Sequence, residues 1–368
     1  MIAAHADVVG SLLRPPELRA AQAAFADGKL DAGGLRAAED RAVDAAIALQ
    51  EAAGLPVVTD GEQRRVSFQS AVPEALDGFA GLGLDAYVWG EWRGEGGELR
   101  IARPVDLAVV GKLRRRRWFV ADEFDYLRAR TGRVAKVALP SPSLFDGYWM
   151  PDRSRAAYAT ADAFLADLVD LYREEVAELA RRGARYVQID APHYPLLLEP
   201  RWRDFYTRGD GDAGRWLDRA LALDDAVMAG APEIAFAVHV CRGNQSSRWL
   251  AEGDLEPLAP ALFRGTRAQR LLLEYDSPRA GSFAALRHLP DDKMAILGLV
   301  TTKSGRRETT VELAARVAEA ARLVARERLG LSPQCGFATS VRGNALTAED
   351  QRAKLELVAR AAAEIWPG

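Results

Sequence analysis

Short apolar runs alternate along the chain with longer stretches in which apolar residues recur at helical spacing. The runs are rich in Val, Ile, Leu or aromatic residues, and they predict eight strands. These strands cover residues 6–10, 55–59, 134–139, 185–189, 233–240, 270–275, 294–300 and, more weakly, 329–334. Nearly continuous apolar runs are typical of parallel strands that are buried on both faces of a sheet.

Helical patterns fill most of the intervals between these runs. The predicted helices cover residues 16–53 (as one or two helices), 161–182, 215–228, 311–328 and 347–365. Eight strands that alternate with helices favour an α/β fold of the (β/α)8 type, a TIM barrel, over a doubly wound sheet. A length of 368 residues suits one barrel with an insertion, so residues 1–368 are predicted to form a single barrel domain.

Residues 66–120 interrupt the alternation between the second and third predicted strands. This segment lacks a long helical pattern, and apolar residues at 87–89 and 99–101 lie among polar residues and glycine-rich turns. The pattern predicts a β-hairpin-like insertion on the barrel. The segment also carries a basic run, Lys112 and 114–117. Such a run fits either a solvated hairpin face or a clamp for an anionic substrate tail.

Composition narrows the classes of partner. Hydrophobic residues make up 49% of the chain and charged residues 27%, which is typical of a globular protein, and the net charge of -3 offers no basic field for nucleic acid. The sequence contains no run of about 18 apolar residues for a membrane span, and residues 1–7 lack a secretory signal. We therefore expect a cytoplasmic protein with small-molecule partners, without nucleic acid or membrane; homo-oligomerisation stays open.

The candidate chemistry centres on cysteine and histidine, which are scarce. The two cysteines are Cys241 and Cys335, and His239 lies two residues before Cys241, so both side chains point to the same face of a strand. Glu274 and Cys335 end two further predicted strands, and the carboxyl ends of barrel strands converge. Isolated buried cysteines are usually packing residues. Here their coincidence with a histidine and a carboxylate at strand ends predicts a tetrahedral Zn2+ site.

At this point the sequence resembles the cobalamin-independent methionine synthase superfamily, over nearly the whole chain and specifically in its C-terminal catalytic barrel. Residues 9–15 resemble the first strand and loop of the family, 59–62 its Gly-Glu motif and 188–190 its Gln-Ile-Asp motif. His239-Val-Cys241, Glu274 and 333–336 resemble its zinc ligands. The extra N-terminal barrel of the full-length synthase has no counterpart, so the chain resembles the shorter, single-barrel relatives.

The resemblance implies a zinc-dependent thiol alkyltransferase, above all methyl transfer to homocysteine or a similar aminothiol through a zinc-bound thiolate. Coordination to zinc deprotonates a thiol, and the thiolate is the nucleophile. Glu62 and Asp190 match positions that bind the ammonium group of homocysteine, and Ser11 is a candidate for its carboxylate. Four protein ligands leave no open position on the metal. Glu274 is the weakest donor to soft zinc, so it is expected to lengthen or leave when the thiol binds.

The chain departs from the family where the alkyl donor binds. The family has a histidine after its seventh strand, where residues 300–305 carry Lys303 instead, a candidate proton donor or anion ligand. Ala191 replaces an acidic residue after Asp190, and His193 follows as a candidate acid. The catalytic candidates are therefore Asp190, Lys303 and His193. These departures argue against methyltetrahydrofolate polyglutamate and leave a corrinoid or a small methylated compound as candidate donors.

Three other functions compete with this interpretation. An epoxyalkane:coenzyme M transferase-like activity, or 2-hydroxyalkyl-coenzyme M lyase, would need cations for a sulfonate, with Arg14, Arg64 and Arg65 as candidates, and the acids Glu62 and Asp190 disfavour it. A metal carrier without turnover would need no organised thiol pocket. A related barrel family decarboxylates uroporphyrinogen without a metal, which would leave the cysteines without a purpose.

Overall fold

A curled parallel sheet forms the centre of the computed structural model, which describes residues 2–209 and 211–367. The strands, in chain order, are β1 Val57–Val58, β2 Leu76–Ala80, β3 Gly90–Trp92, β4 Leu99–Ile101, β5 Ala108–Arg115, β6 Val134–Pro140, β7 Tyr186–Asp190, β8 Ala235–Val240, β9 Arg270–Glu274, β10 Met294–Val300 and β11 Leu329–Pro333. The seven-stranded sheet has the order β1-β6-β7-β8-β9-β10-β11, and all its pairings are parallel. This curled α/β sheet confirms the predicted barrel class.

The predicted first strand, residues 6–10, is wrong as a regular strand. Only Ala6 bridges to Leu331, with hydrogen bonds from the Asp7 N–H to the Leu331 oxygen (2.9 Å) and from the Leu331 N–H to the His5 oxygen. The carbonyl groups of residues 8 and 9 instead accept from the side chains of Lys136 and Gln188, which reach them across the barrel interior. The segment therefore lies beside β11 in an extended form, without the backbone ladder of a strand.

Helices surround the sheet. In chain order they are α1 Pro16–Ala26, α2 Ala32–Ala52, α3 Asp85–Val88, α4 Ala121–Arg128, α5 Pro151–Ser154, α6 Ala161–Arg181, α7 Pro200–Thr207, α8 Ala213–Met228, α9 Ala259–Gly265, α10 Thr310–Ala320 and α11 Ala348–Ile365. The predicted helix at 311–328 is too long, because the chain turns after Ala320 while Val324 still packs in the core. Within the described ranges, no helix is both long and apolar enough to cross a membrane.

The segment at residues 66–120 holds two antiparallel strand pairs, β2 with β5 and β3 with β4. It is attached to the barrel loops, since the Arg93 N–H donates to the Trp249 oxygen and the Trp249 N–H to the Arg93 oxygen, each at 2.8 Å. Trp92 is buried in the main hydrophobic core. The segment is therefore a β-structured addition over the carboxyl end of the barrel. The assignment of the whole chain to one domain stays a prediction.

Candidate metal and thiol site

Three predicted ligands meet at the carboxyl end of the barrel. His239 is the fifth residue of β8, Cys241 follows that strand, and Cys335 lies just after β11. Their ligand atoms all lie within 4.8 Å of one another, and all three side chains are buried. The two sulfur atoms are 3.6 Å apart. Two thiolates bound at about 2.3 Å to one tetrahedral zinc ion would be roughly 3.8 Å apart, so the spacing fits that metal.

The orientation of His239 is fixed by a carboxylate. Its Nδ1 lies 3.0 Å from Oδ1 of Asp190, the residue paired with it on the neighbouring strand β7, and Gln188 donates to the same oxygen at 2.7 Å. The other ring nitrogen, Nε2, is buried and has no hydrogen-bond partner within the described ranges. Metal-binding histidines commonly donate their second N–H to a carboxylate. The unpartnered Nε2 is therefore the atom that fits a metal ion.

Charges within the cluster favour a thiolate even without a metal. A hydrogen bond from Cys335, together with the charge of His239, lowers the pKa of Cys241 to about 5. Burial opposes the charged form of His239, but the Cys241 thiolate and Asp190 raise its pKa to about 10. The hydrogen bond to Cys241 and burial raise the pKa of Cys335. Metal binding at this cluster must therefore displace protons from His239 and Cys335.

Glu274 lies beside the cluster with its carboxylate already engaged. One of its oxygens accepts from the Arg279 guanidinium, with Nε at 3.2 Å, and the other accepts from the Arg242 N–H at 2.8 Å and from Gln334 at 2.9 Å. Burial opposes its ionisation, but Arg279 and Arg242 lower the pKa of Glu274 to about 2. The group of three ligand atoms does not include a Glu274 oxygen. Its role as a fourth ligand therefore stays a prediction.

Glu62 occupies a strained turn on the wall of the same cavity. Its φ of 53° is in the left-handed region, which is uncommon for residues other than glycine, and Arg14 holds its carbonyl oxygen at 2.7 Å. Its Oε1 is 3.5 Å from Arg65, whereas the buried Oε2 has no partner in the described part of the chain. Burial raises the pKa of Glu62 to about 7. An unpartnered buried carboxylate oxygen fits a cationic ligand.

Ser11 contacts the loop that carries Cys335. A Cβ added to Gly336 would lie 1.9 Å from the Ser11 Oγ, so any larger residue at this position would displace Ser11. The Phe337 N–H donates to the Ser11 oxygen at 2.8 Å. Ser11, Glu62 and Asp190 all line the cavity that is also lined by the histidine and the two cysteines of the cluster. The predicted substrate residues therefore lie around one space, although their substrate roles stay predictions.

The two remaining catalytic candidates lie in different places. Lys303 is half-buried, and its ammonium group donates to the carbonyl oxygens of Gly243 and Arg248. Of the described residues, those that line the cavity do not include Lys303. His193 does line the cavity, and burial lowers its pKa to about 3, so its ring is neutral at pH 7. His193 is therefore not a resting imidazolium. The ammonium charge of Lys303 also lowers the pKa of Glu274 and opposes the rise in the pKa of Cys335. The catalytic roles of both residues stay predictions.

Aromatic side chains form the upper wall of the cavity, which the sequence did not reveal. They are Phe68, Tyr87, Trp89, Trp92, Tyr148, Trp202, Phe205 and Tyr206. Arg103 also lines this wall and stacks over the rings of Trp89 and Phe205, at 5.6 and 5.3 Å. The sequence feature that could have predicted this wall is the presence of tryptophans in a polar, glycine-rich insertion. The cavity lining does not include the basic run, in which Arg115 pairs with Glu175 at 2.9 Å.

The arginines required by a sulfonate thiol are engaged elsewhere. Arg14 donates to four carbonyl groups, including that of Ala338, and Arg65 pairs with Glu123 at 2.7 Å. Arg64 pairs with Asp40 at 2.7 Å. Among the residues that the structure describes, the cavity lining contains none of these three arginines. The coenzyme M alternative therefore finds no support.

The fold and the site together define the class of protein. It is a parallel α/β barrel with a candidate metal centre of two thiols and an imidazole at the carboxyl end of its strands. The family described as "Cobalamin-independent synthase, Catalytic domain" matches residues 152–363. The uncharacterized protein YxjG of Bacillus subtilis (strain 168) is 33% identical over 373 residues, which cover 98% of this chain and 94% of that protein. The chain therefore belongs to the family of cobalamin-independent synthase catalytic domains, as predicted.

Proteins with named activities are also similar. A Listeria monocytogenes protein described as a vitamin-B12-independent methionine synthase has a structure similar to this chain, with a TM-score of 0.73, 26% identity and 100% coverage of both chains. The 5-methyltetrahydropteroyltriglutamate–homocysteine methyltransferase of Sodalis glossinidius is 25% identical over 336 residues, or 90% of this chain. The match covers 40% of that relative's length. These named relatives are methyltransferases or synthases, in agreement with the predicted class of enzyme.

Proposed function

We propose that the chain transfers a methyl group to the sulfur of homocysteine or a similar aminothiol, at a zinc ion held by His239, Cys241 and Cys335. The observation that carries this proposal is the buried, unpartnered Nε2 of His239 within 4.8 Å of both sulfur atoms. Zinc bound there would supply the positive charge that keeps a substrate thiol deprotonated. Three protein ligands and one exchangeable position are typical of catalytic zinc sites.

The aminothiol is oriented by the side chains around the cluster. Glu62 binds the ammonium group through its unpartnered Oε2, and Ser11 binds the carboxylate. Asp190 uses Oδ1 to orient His239, which leaves its second oxygen for the substrate. The insertion completes the site, because Trp89 and the barrel residues line one cavity. On this basis, residues 66–120 and the barrel act as one catalytic unit.

The methyl donor is proposed by class only. The Sodalis glossinidius relative is named for 5-methyltetrahydropteroyltriglutamate, but the match covers 40% of its length. Ala191 and Lys303 stand where the family pattern differs, and aromatic side chains line the same cavity as the cluster. A corrinoid or a small methylated compound stays the proposed donor.

A turnover assay tests this function. The protein is loaded with zinc and incubated with homocysteine, with coenzyme M or with 4-mercaptobutyrate, which is homocysteine without its amino group. Each thiol is offered methylcobalamin, 5-methyltetrahydropteroyltriglutamate or methyl iodide. We expect methionine formation from homocysteine to exceed alkylation of the other two thiols by at least about tenfold, because one charged hydrogen bond contributes about 1.5–3 kcal/mol. Equal rates for all three thiols would contradict the aminothiol assignment.

Zinc-edge X-ray absorption tests the predicted role of Glu274. We expect the zinc-loaded protein to show one oxygen ligand that lengthens or disappears when homocysteine is added, as a third sulfur joins the shell. Glu274→Gln should show no such loss of oxygen. Its amide oxygen can still accept from the Arg242 N–H and from Gln334. An unchanged oxygen count in the native protein, or no added sulfur, would exclude Glu274 as the displaced ligand.

A further inference from the structure

A chain of buried hydrogen bonds runs from helix α8 to the cavity wall, across the carboxyl ends of β6 and β7. Its members, in order, are Asp224, Ser141, Ser143 and His193, and we call them the relay. The Ser141 Oγ lies 2.6 Å from Asp224 Oδ1 and 2.8 Å from the Ser143 Oγ, which lies 2.8 Å from His193 Nε2. Each side chain is at most 1% exposed. The proposed aminothiol site uses none of these contacts.

Hydrogen-bond counting gives one direction along the relay when Asp224 is ionised. Tyr194 donates its hydroxyl proton to Asp224 Oδ2 at 2.6 Å, and Ser141 donates to Oδ1. Each serine has one proton to donate, and along the relay Ser141 accepts from Ser143, while the Tyr194 oxygen is a second acceptor near both serines. Ser143 then accepts from Nε2–H of His193, which fixes that tautomer. His193 Nδ1 is left as a buried lone pair without a partner in the described structure, on a ring that lines the cavity.

The same contacts allow one proton to move in either direction. A proton that arrives at His193 Nδ1 releases the proton on Nε2 to Ser143. Ser143 passes its own proton to Ser141, and Ser141 passes one to Asp224. The net change is one proton added to the relay, stored as the Asp224 carboxylic acid, with every O–H and N–H bond accounted for. The reverse sequence presents a proton at Nδ1.

Thiol alkylation requires such a proton when the leaving atom of the donor is basic, as in an amine. When a thiol R–SH attacks such a donor R′–X, the S–C bond forms, the C–X bond breaks with its electron pair on X, and the thiol proton ends on X. We propose that the relay delivers this proton from His193 Nδ1 to the leaving atom and is reloaded from the thiol or from water. This inference rests on the proposed function. His193 is then a catalytic residue, and the other three members store and position the proton.

The surroundings of the relay suit this exchange near neutral pH. Burial raises the pKa of Asp224 to about 7, while the hydroxyls of Ser141 and Tyr194 oppose the rise. The charge of Asp225 and the hydroxyl of Tyr172 also face this carboxyl group. Burial lowers the pKa of His193 to about 3, so the imidazole passes a proton on instead of retaining it. Asp224 is therefore the member that holds the proton.

Nitrogen-15 NMR of labelled histidine tests the relay without turnover. The chain has four histidines, and His193→Gln assigns the His193 signals. We expect the Nε2–H tautomer at pH 9 and a shift to Nδ1–H as the pH falls through about 7. Asp224→Asn keeps the shape of the side chain and one acceptor oxygen for Ser141, turns an amide donor toward Tyr194 and cannot ionise, so we expect one tautomer at every pH. The relay would be overturned if the His193 tautomer of the native protein did not change with pH. It would also be overturned if Asp224→Asn showed the same change of tautomer as the native protein.

A kinetic comparison tests delivery to the leaving group. Methyl iodide leaves as iodide and needs no proton, whereas 5-methyltetrahydropteroyltriglutamate leaves as an amine that does. With zinc-loaded protein and homocysteine, Asp224→Asn and Ser143→Ala should slow the folate donor by about 10²- to 10⁴-fold and methyl iodide by less than twofold. Ser143→Thr, which keeps the hydroxyl, should retain the native rate. Equal losses with both donors would overturn the proposal.

The two experiments also separate this inference from the proposed function. A protein that alkylates homocysteine with neither donor but shows the tautomer shift would contradict the proposed function and leave the relay intact. A protein that uses methyl iodide but whose His193 tautomer ignores pH would contradict the relay alone. When the native protein does not use the folate donor, the NMR result decides.

Discussion

Replacing Cys241 with serine is expected to lower bound zinc from about one ion per chain to below about a tenth of an ion. Serine keeps the size of the side chain but removes the soft thiolate that zinc prefers. The same loss is expected for Cys335→Ser, because its sulfur lies 3.6 Å from that of Cys241 in the same cluster. Metal content is measured by atomic absorption after dialysis against a dilute chelator, and homocysteine methylation should fall with it.

His288→Asn is the matched control, since it removes an imidazole that lies outside the cluster. It should bind zinc and turn over like the native protein. Heating gives a second readout. A ligand that binds only the folded state stabilises it by about 2.7 kcal/mol at a hundred times its Kd. Chelation should therefore lower the Tm of the native protein and leave that of Cys241→Ser unchanged. Zinc near one ion per chain in both serine variants would refute the metal site.

The strands of the barrel could be predicted because parallel strands buried on both faces are apolar along their whole length. The irregular form of residues 6–10 could not be predicted. The side chains that donate to their carbonyl oxygens, Lys136 and Gln188, come from strands that are distant in sequence. Helix ends depend on tertiary turns in the same way: the apolar spacing continues to Val324 although helix α10 ends at Ala320.

The gathering of His239, Cys241 and Cys335 could be predicted because these residues lie at the ends of strands, and a barrel brings such ends together. The contact between His239 and Asp190 could not be predicted. The two residues are 49 positions apart, and only the register between β7 and β8 places them opposite each other. The relay was invisible for the same reason, since Ser141 and Asp224 are 83 residues apart. Sequence patterns give the face on which a side chain lies, whereas contacts between elements depend on packing.

Glu62→Gln is expected to lower kcat/KM for homocysteine by about 10- to 100-fold, because the amide cannot pair with the substrate ammonium group and a charged hydrogen bond contributes about 1.5–3 kcal/mol. The rate with 4-mercaptobutyrate, which has no amino group, should change by less than about twofold. Burial raises the pKa of Glu62 to about 7. The native kcat/KM for homocysteine should therefore rise as the pH increases through 7, and this rise should be absent from the variant.

Stability should respond in the opposite direction. The unfolded carboxyl group has a pKa near 4.5 and the folded one near 7. Below about pH 4.5 both states are protonated, and Glu62 has no effect on the pH dependence of unfolding. Between pH 4.5 and 7 the folded state binds more protons, so stability is lost as the pH rises. Each pKa step equals about 1.4 kcal/mol, which gives a loss of about 3 kcal/mol above pH 7.

Urea unfolding of the metal-free protein measures this loss. Glu62→Gln should be more stable than the native protein by about 3 kcal/mol at pH 8 and about equal to it at pH 4.5, since glutamine does not ionise. The exposed Glu98→Gln is the control and should follow the native protein at both pH values. Saturating homocysteine should narrow the difference at pH 8, because its ammonium group pairs with the ionised carboxylate of the native protein alone. A native protein that is the more stable of the two at pH 8 without substrate would show that Glu62 is already paired, and its assignment to the ammonium group would fail.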